Sequence, residues 1–251
     1  MHGKLVEIEV DSPALAGNPL GDPARRLVLA YVPPGASAPL PAVYFLHGFS
    51  GSARGWANVS VFTPTLPERI DALVASGALP PFLAAFPDGT TALGGTQWMN
   101  APAVGRYQDY VAEDVVRAVE ARLGAIPRRE ARAVVGKSSG GYGALRLGRD
   151  RPDVFSLLGV HSADSFFEYC YLPDLPKAAA ALLGAPDAAA WVEALRQRAR
   201  ETKITGGDLA PLNVVAMAAH YSPNPAAPLG ADLPFSLPTG RIREDVWRAT
   251  R

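Results

Sequence analysis

The chain has 251 residues, 48% of them hydrophobic and 19% charged, with a mean hydropathy of +0.06. This suits one α/β domain with a sizeable buried core and excludes global disorder. Lys+Arg and Asp+Glu stand at 24 each, so no net field recruits nucleic acid, an anionic membrane surface or a polyionic partner, and any ligand is recognised locally.

In chain order, Leu5 to Val10 alternates with period two, and Arg26 to Val32 does so again after a Gly/Pro-rich turn, predicting two antiparallel opening strands. Ala42 to Leu46 is a short solid apolar run ended by His47-Gly48, the pattern of a strand buried on both faces of a parallel sheet. Pro67 to Ser76 carries helical spacing through Ile70, Leu73 and Val74, with Pro67 in the first turn. Pro80 to Phe86 reads as a second buried strand. Tyr107 to Leu123 is the clearest helix, with Tyr110, Val111, Val115, Val116, Val119 and Leu123 on one face. Ala131 to Val135 is a strand, Ser139 to Gly148 a glycine-rich helix, and Val154 to Val160 a further strand. Beyond Ser162 the character changes. Asp174 to Thr202 is Ala-rich and helical, Leu209 to His220 is an apolar helix, Ser222 to Pro238 a Pro-rich loop, and 243–251 a helix opening with Glu244 and Asp245. The expected organisation is an α/β core over 1–162 with a helical and Pro-rich appendage over 163–251, acting as a cap or insertion on the same domain.

A single cysteine, Cys170, excludes an intramolecular disulfide framework and any multi-cysteine metal site, and reads as a small buried residue in a reducing compartment. The N-terminus alternates where a signal peptide would be unbroken and apolar, and no run is long enough to span a bilayer. The expectation is a cytoplasmic protein without membrane association.

The chemistry concentrates at Gly136-Lys137-Ser138-Ser139-Gly140, a G-x-S-x-G pattern set between an apolar strand and a glycine-rich helix, the context of a nucleophile elbow. Such a turn holds its serine in a strained conformation, and glycine at the flanking positions keeps Cβ atoms off the strand and helix. Ser138 is the candidate nucleophile, and the Ser139 amide lies at a helix N-terminus where an oxyanion would form. Gly136-Lys137-Ser138 also resembles the tail of a phosphate-binding loop, but that motif needs glycine where Ala131 stands, and the intervening residues are themselves strand. A second constellation, His47-Gly48-Phe49-Ser50-Gly51-Ser52, follows a buried strand. Phe49 N–H is the candidate second oxyanion donor, with a plain Gly/Ser turn as the alternative.

Leu46-His47-Gly48-Phe49, then Thr96-Gln97-Trp98-Met99-Asn100 with Gly105 to Tyr110, then Val135 to Leu145, resemble over about residues 26–170 the esterase D-like branch of the α/β-hydrolases, which includes S-formylglutathione hydrolases, feruloyl esterases and mycolyltransferases. The resemblance implies an α/β-hydrolase-like three-layer sandwich, mostly parallel with antiparallel N-terminal strands. It also implies a serine carboxylesterase acting on small esters or thioesters through an acyl-Ser138 intermediate, with Phe49 and Ser139 as the oxyanion hole and no metal or organic cofactor. His47, Trp56, Trp98, Asn100, Tyr107 and His161 are candidate pocket residues, each open to a packing alternative.

A serine hydroxyl needs an imidazole oriented by a carboxylate. The resemblance implies these on later strands, and after Val160 no further buried-strand run is found, so the fold is expected to be C-terminally incomplete. His2 reads as part of a frayed end, His47 as a loop-orienting side chain, His161 as lining the crevice, and His220 as a satisfied helix-terminal residue. Asp164 and Glu168 follow His161, either near the site or on a solvated loop. The strand at 154–160 would then have a free edge, to be covered by the appendage, by another chain in a homo-oligomer or hetero-assembly, or by a longer parent protein. Two further readings stay open: a catalytically incompetent hydrolase serving as a binding or assembly module, and an acyltransferase of the same fold.

Overall fold

The computed structural model describes residues 1–37, 39–202 and 204–250. Strands β1 (Lys4–Asp11) and β2 (Arg25–Val32) pair antiparallel, Lys4 opposite Val32 and Asp11 opposite Arg25. The period-two pattern explains the pairing: Ile8 and Val10 are buried while Glu7 and Glu9 face solvent. The N-terminus is not frayed, because buried Asp71 accepts the backbone N–H groups of His2 and Gly3, each at 2.7 Å, and the Tyr31 hydroxyl at 3.1 Å.

Strand β3 (Ala42–Leu46) leads through helix α1 (Leu66–Ala75) to β4 (Leu83–Pro87), parallel to β3 and antiparallel to β2. Helix α1 starts at a capping box in which Glu68 N–H donates to Thr65 Oγ1 and Thr65 N–H donates to Glu68 Oε2. A small hairpin, β5 (Asn100–Ala101) and β6 (Gly105–Arg106), precedes the long helical stretch. The sequence predicts one regular helix there. The structure divides it into α2 (Tyr107–Asp109), a wide π turn (Tyr110–Val115) and α3 (Val116–Leu123). In the π turn Asp114 is buried and accepts an Arg117 N–H at 2.8 Å within the helix, together with Ser12 Oγ–H at 2.6 Å and Ala14 N–H at 3.2 Å, two long-range bonds that helical periodicity cannot register.

Strand β7 (Arg132–Lys137), helix α4 (Ser139–Asp150) and strand β8 (Leu157–His161) complete the sheet, whose order is β1-β2-β4-β3-β7-β8. The expected strand over 154–160 starts later, because Val154 and Phe155 turn into the core, where the Phe155 ring meets Tyr44 edge-on at 5.7 Å. The rest of the chain forms α5 (Phe167–Cys170), α6 (Leu175–Leu182), α7 (Ala188–Glu201), α8 (Gly206–Tyr221) and α9 (Glu244–Ala249). The helical reading of 174–202 breaks between α6 and α7, where Gly184 takes φ 88°. Arg251, the last residue of the expected terminal helix, lies outside the described residues. Helix α8 is buried on nearly every side, from Leu212 through Ala219, which accounts for its all-round apolar sequence.

Helices flank both faces of this mostly parallel sheet, giving the α/β-hydrolase-like three-layer fold. On one face Ile70 of α1 packs with Leu29, Tyr31, Ala84 and Phe86. On the other, a single apolar cluster runs from Tyr44, Val134 and Ala144 into Val214, Met217 and Ala218 of α8. The edge strand β8 is left partly uncovered among the described residues, with Leu157, Leu158 and Val160 63%, 47% and 43% exposed. Among the described residues no helix is long and apolar enough to cross a membrane.

Candidate active site

The turn between β7 and α4 is built by exclusion. A Cβ on Gly136 would stand 1.9 Å from the Gly140 carbonyl oxygen, and one on Gly140 would stand 2.0 Å from the carbonyl oxygen of Leu46, so neither position accepts a side chain. Between them Ser138 is held at φ 57°, ψ −124°, a conformation that costs an L-residue roughly 1–3 kcal/mol and persists only where the surroundings over-determine it. Two backbone bonds do so: Ser138 N–H donates to the His161 carbonyl at 3.0 Å, and the Ser138 carbonyl accepts Tyr142 N–H at 3.0 Å.

Gly48 closes on the same serine, since a Cβ there would lie 3.1 Å from Ser138 Cβ. Phe49 lies on the loop after β3 and Ser139 opens α4, and neither main-chain N–H donates to an acceptor among the described residues. The neighbouring Ser50 N–H is taken by the Gly94 carbonyl at 3.2 Å, which fixes the loop while leaving Phe49 N–H open.

The Ser138 hydroxyl donates to a carboxylate, not to an imidazole: Oγ lies 3.0 Å from Asp164 Oδ1. Asp164 Oδ2 accepts the Ser139 hydroxyl at 3.0 Å and the Tyr171 hydroxyl at 3.3 Å. Gln97 Nε2 in turn donates to Ser139 Oγ at 3.3 Å and to the Tyr171 oxygen at 3.1 Å. The Tyr171 phenol is pushed well above its ordinary pKa by burial and then by the Asp164 charge, so it acts as a hydroxyl donor throughout the physiological range.

None of the four histidines reaches Ser138 among the described hydrogen bonds. His47 is buried beneath the loop, with Nε2 accepting Gly89 N–H at 2.9 Å and Nδ1 facing the Gly48 carbonyl at 2.9 Å; burial lowers its pKa and keeps it neutral. His220 is locked similarly, with Nδ1 on the Ala216 carbonyl at 2.7 Å and Nε2 accepting Gln97 N–H at 3.1 Å, and burial holds its pKa at about 4. His161 ends β8 with an exposed side chain and contributes its backbone carbonyl to the elbow.

Several candidate pocket residues sit elsewhere. Trp98 is fully buried, its indole N–H donating to the His47 carbonyl at 2.9 Å, and Gly143 leaves room for its ring. Tyr107 is fully buried against Arg26, whose guanidinium donates to its hydroxyl at 2.5 Å. Trp56 packs on Phe45 and Phe86 on the α1 face of the sheet, away from the elbow. Asn100 is exposed and accepts Asp109 N–H at 3.2 Å. Cys170, read as buried, is only half-buried, and burial raises its thiol pKa.

Sequence reasoning left Asp164 between two readings and missed Gln97 and Tyr171. The available signal was Gly141, which is redundant to the elbow motif: a Cβ there would meet Ala163 Cα at 3.1 Å, so this glycine admits the loop that carries Asp164. Among the described residues no group of three or more His, Cys, Asp or Glu side chains is placed to hold a metal ion.

Solved structures with the same fold include a ferulic acid esterase at 23% identity (TM-score 0.53; 64% of this chain and 58% of that one covered). An Anaeromyces mucronatus ferulic acid esterase in complex with ferulic acid matches at 18% (TM-score 0.51; 66% and 60%). An S-formylglutathione hydrolase of Staphylococcus aureus also matches at 18% (TM-score 0.51; 87% and 75%). The match spans 58%, 60% and 55% of the length of the first three structures. No curated protein matches the sequence. The family model described as "Putative esterase" matches residues 23–205. With the elbow at 136–140 inside that span, the chain belongs to this esterase family.

Proposed function

We propose that this chain carries a serine carboxylesterase site for small ester or thioester substrates. The observation that carries the reading is the strained Ser138 in the glycine-lined turn between β7 and α4; the main-chain N–H groups of Phe49 and Ser139, which have no acceptor among the described residues, are the donors this reading assigns to the oxyanion. Ser138 Oγ attacks the acyl carbonyl, the two amides take the developing oxyanion, and water releases the acyl group; an alcohol in place of water would make the same site an acyltransferase. Preorganised donors of this kind are worth about 3 kcal/mol each in other enzymes. The test is labelling with a fluorophosphonate probe followed by peptide mass spectrometry. Modification at Ser138 that vanishes in Ser138→Ala supports the reading, and no adduct at residue 138 ends it.

A second reading is favoured by one observation: no histidine side chain contacts Ser138 among the described residues, while β8 presents an unpaired, partly apolar edge. On this reading the chain is a catalytically weak hydrolase fold whose β8 edge pairs with another chain. Acylation of Ser138 without turnover, together with a concentration-dependent mass in light scattering, distinguishes it from the first.

A further inference from the structure

We infer that Asp164 is the catalytic proton acceptor for Ser138, in a serine–carboxylate dyad oriented by Ser139, Tyr171 and Gln97. The inference rests on the reading of Ser138 as a nucleophile and adds what receives its proton.

The geometry is directional. Asp164 has two oxygens, and the structure assigns them different tasks: Oδ2 is occupied by the Ser139 and Tyr171 hydroxyls, and Oδ1 faces Ser138 Oγ at 3.0 Å. Either anchoring hydroxyl could instead point its proton elsewhere. Gln97 removes that freedom, because its side-chain amide donates to both oxygens and leaves each with its own proton free to aim at Asp164. Gln97 is itself fixed at the main chain by the neutral His220 Nε2. The carboxylate therefore cannot rotate without breaking two anchoring bonds, and it presents one lone pair to the nucleophile.

The steps balance without any added oxidant or cofactor. As the Oγ lone pair forms the bond to the acyl carbon, the Oγ–H proton passes to Asp164 Oδ1 and the carbonyl π pair moves onto the oxygen facing the Phe49 and Ser139 amides. Collapse restores the C=O bond and breaks the bond to the leaving group, which departs with the proton held by Asp164. In the second half Asp164 accepts a proton from water as its oxygen attacks the acyl-serine, and returns it to Ser138 Oγ when that ester bond breaks.

The experiment follows the burst of p-nitrophenolate from p-nitrophenyl acetate, whose leaving group needs no proton, beside fluorophosphonate labelling of the same samples. Asp164→Asn keeps the shape but removes the base, and is expected to slow acylation about a hundredfold while circular dichroism stays native. Acylation by Asp164→Asn at the rate of the unmodified protein overturns the dyad, even with Ser138 still labelled. Absence of both burst and label in the unmodified protein overturns the nucleophile reading instead. If Asp164→Asn fails to fold, Tyr171→Phe decides, because it removes one anchor of the carboxylate and keeps Asp164 itself: slower acylation with native circular dichroism supports the dyad, and acylation at the rate of the unmodified protein refutes it.

Discussion

An interior strand and an edge strand of this sheet, β4 and β8, are similarly apolar but lie in different surroundings. In β4 every residue from Leu83 to Pro87 is buried, and Phe86 stacks on Phe45 at 5.2 Å and meets Trp56 at 6.1 Å under the cover of α1. In β8 the apolar residues keep much of their surface: Leu158 rests against Gly148 of α4 on one face, and Leu157 stands on the other beyond the reach of α1. An apolar strand thus says that a sheet is present; whether a helix covers it depends on which elements the chain places on that side. Edge strands of this kind are where pairing with other chains begins.

Substitutions in these two strands break or sharpen the contrast. Phe86→Ala should cost about 3–5 kcal/mol in urea unfolding, because the covered side cannot collapse around the lost ring; a loss below about 1 kcal/mol would mean the α1 face is as loose as the β8 edge. A second test uses pH, through the two buried histidines. The folded His220 takes a proton only near about 4, against an ordinary value of 6.5, so between these values the unfolded chain binds more protons. Stability is therefore complete above about pH 6.5 and falls by about 3 kcal/mol as acidification proceeds through that window. His47, lowered by burial, acts in the same direction. Melting temperatures measured across the window should drop steeply for the unmodified protein and less for His220→Gln; parallel curves would place the acid sensitivity elsewhere. The smallest effect is expected at the open end: Leu157→Lys should change stability by no more than about 0.5 kcal/mol, since the side chain is already in water. If β8 takes a partner, the same substitution lowers the mass seen by light scattering at high concentration. An unchanged concentration-dependent mass would move the association surface off β8.

Fold and site were legible to different depths. The strands at 42–46 and 132–137 and the glycine-lined turn at 136–140 are local statements, since apolar run length and missing Cβ atoms act within a few residues. The helix at 107–123 was legible as a helix, whereas its π turn was not, because Asp114 bonds Ser12 and Ala14 at the far end of β1. Trp98 and Tyr107 looked like pocket walls because aromatic residues beside a motif suit binding as well as packing; only the fold shows both sealed in the core.

What the amino-acid order determined by itself was the elbow: glycine at 136 and 140 admits one tight crossing of strand and helix, and that crossing strains Ser138 and lifts it at the strand end. What only the tertiary structure decided was the partner of that serine. Asp164 and Tyr171 share one stretch after β8, while Ser139 and Gln97 come from two others, and hydrogen-bond direction depends on positions in space that no spacing along the sequence encodes. The buried histidines were assigned in the same way: each ring nitrogen is occupied by a neighbour within hydrogen-bond reach, which leaves a carboxylate, and no imidazole among the described residues, hydrogen-bonded to Ser138.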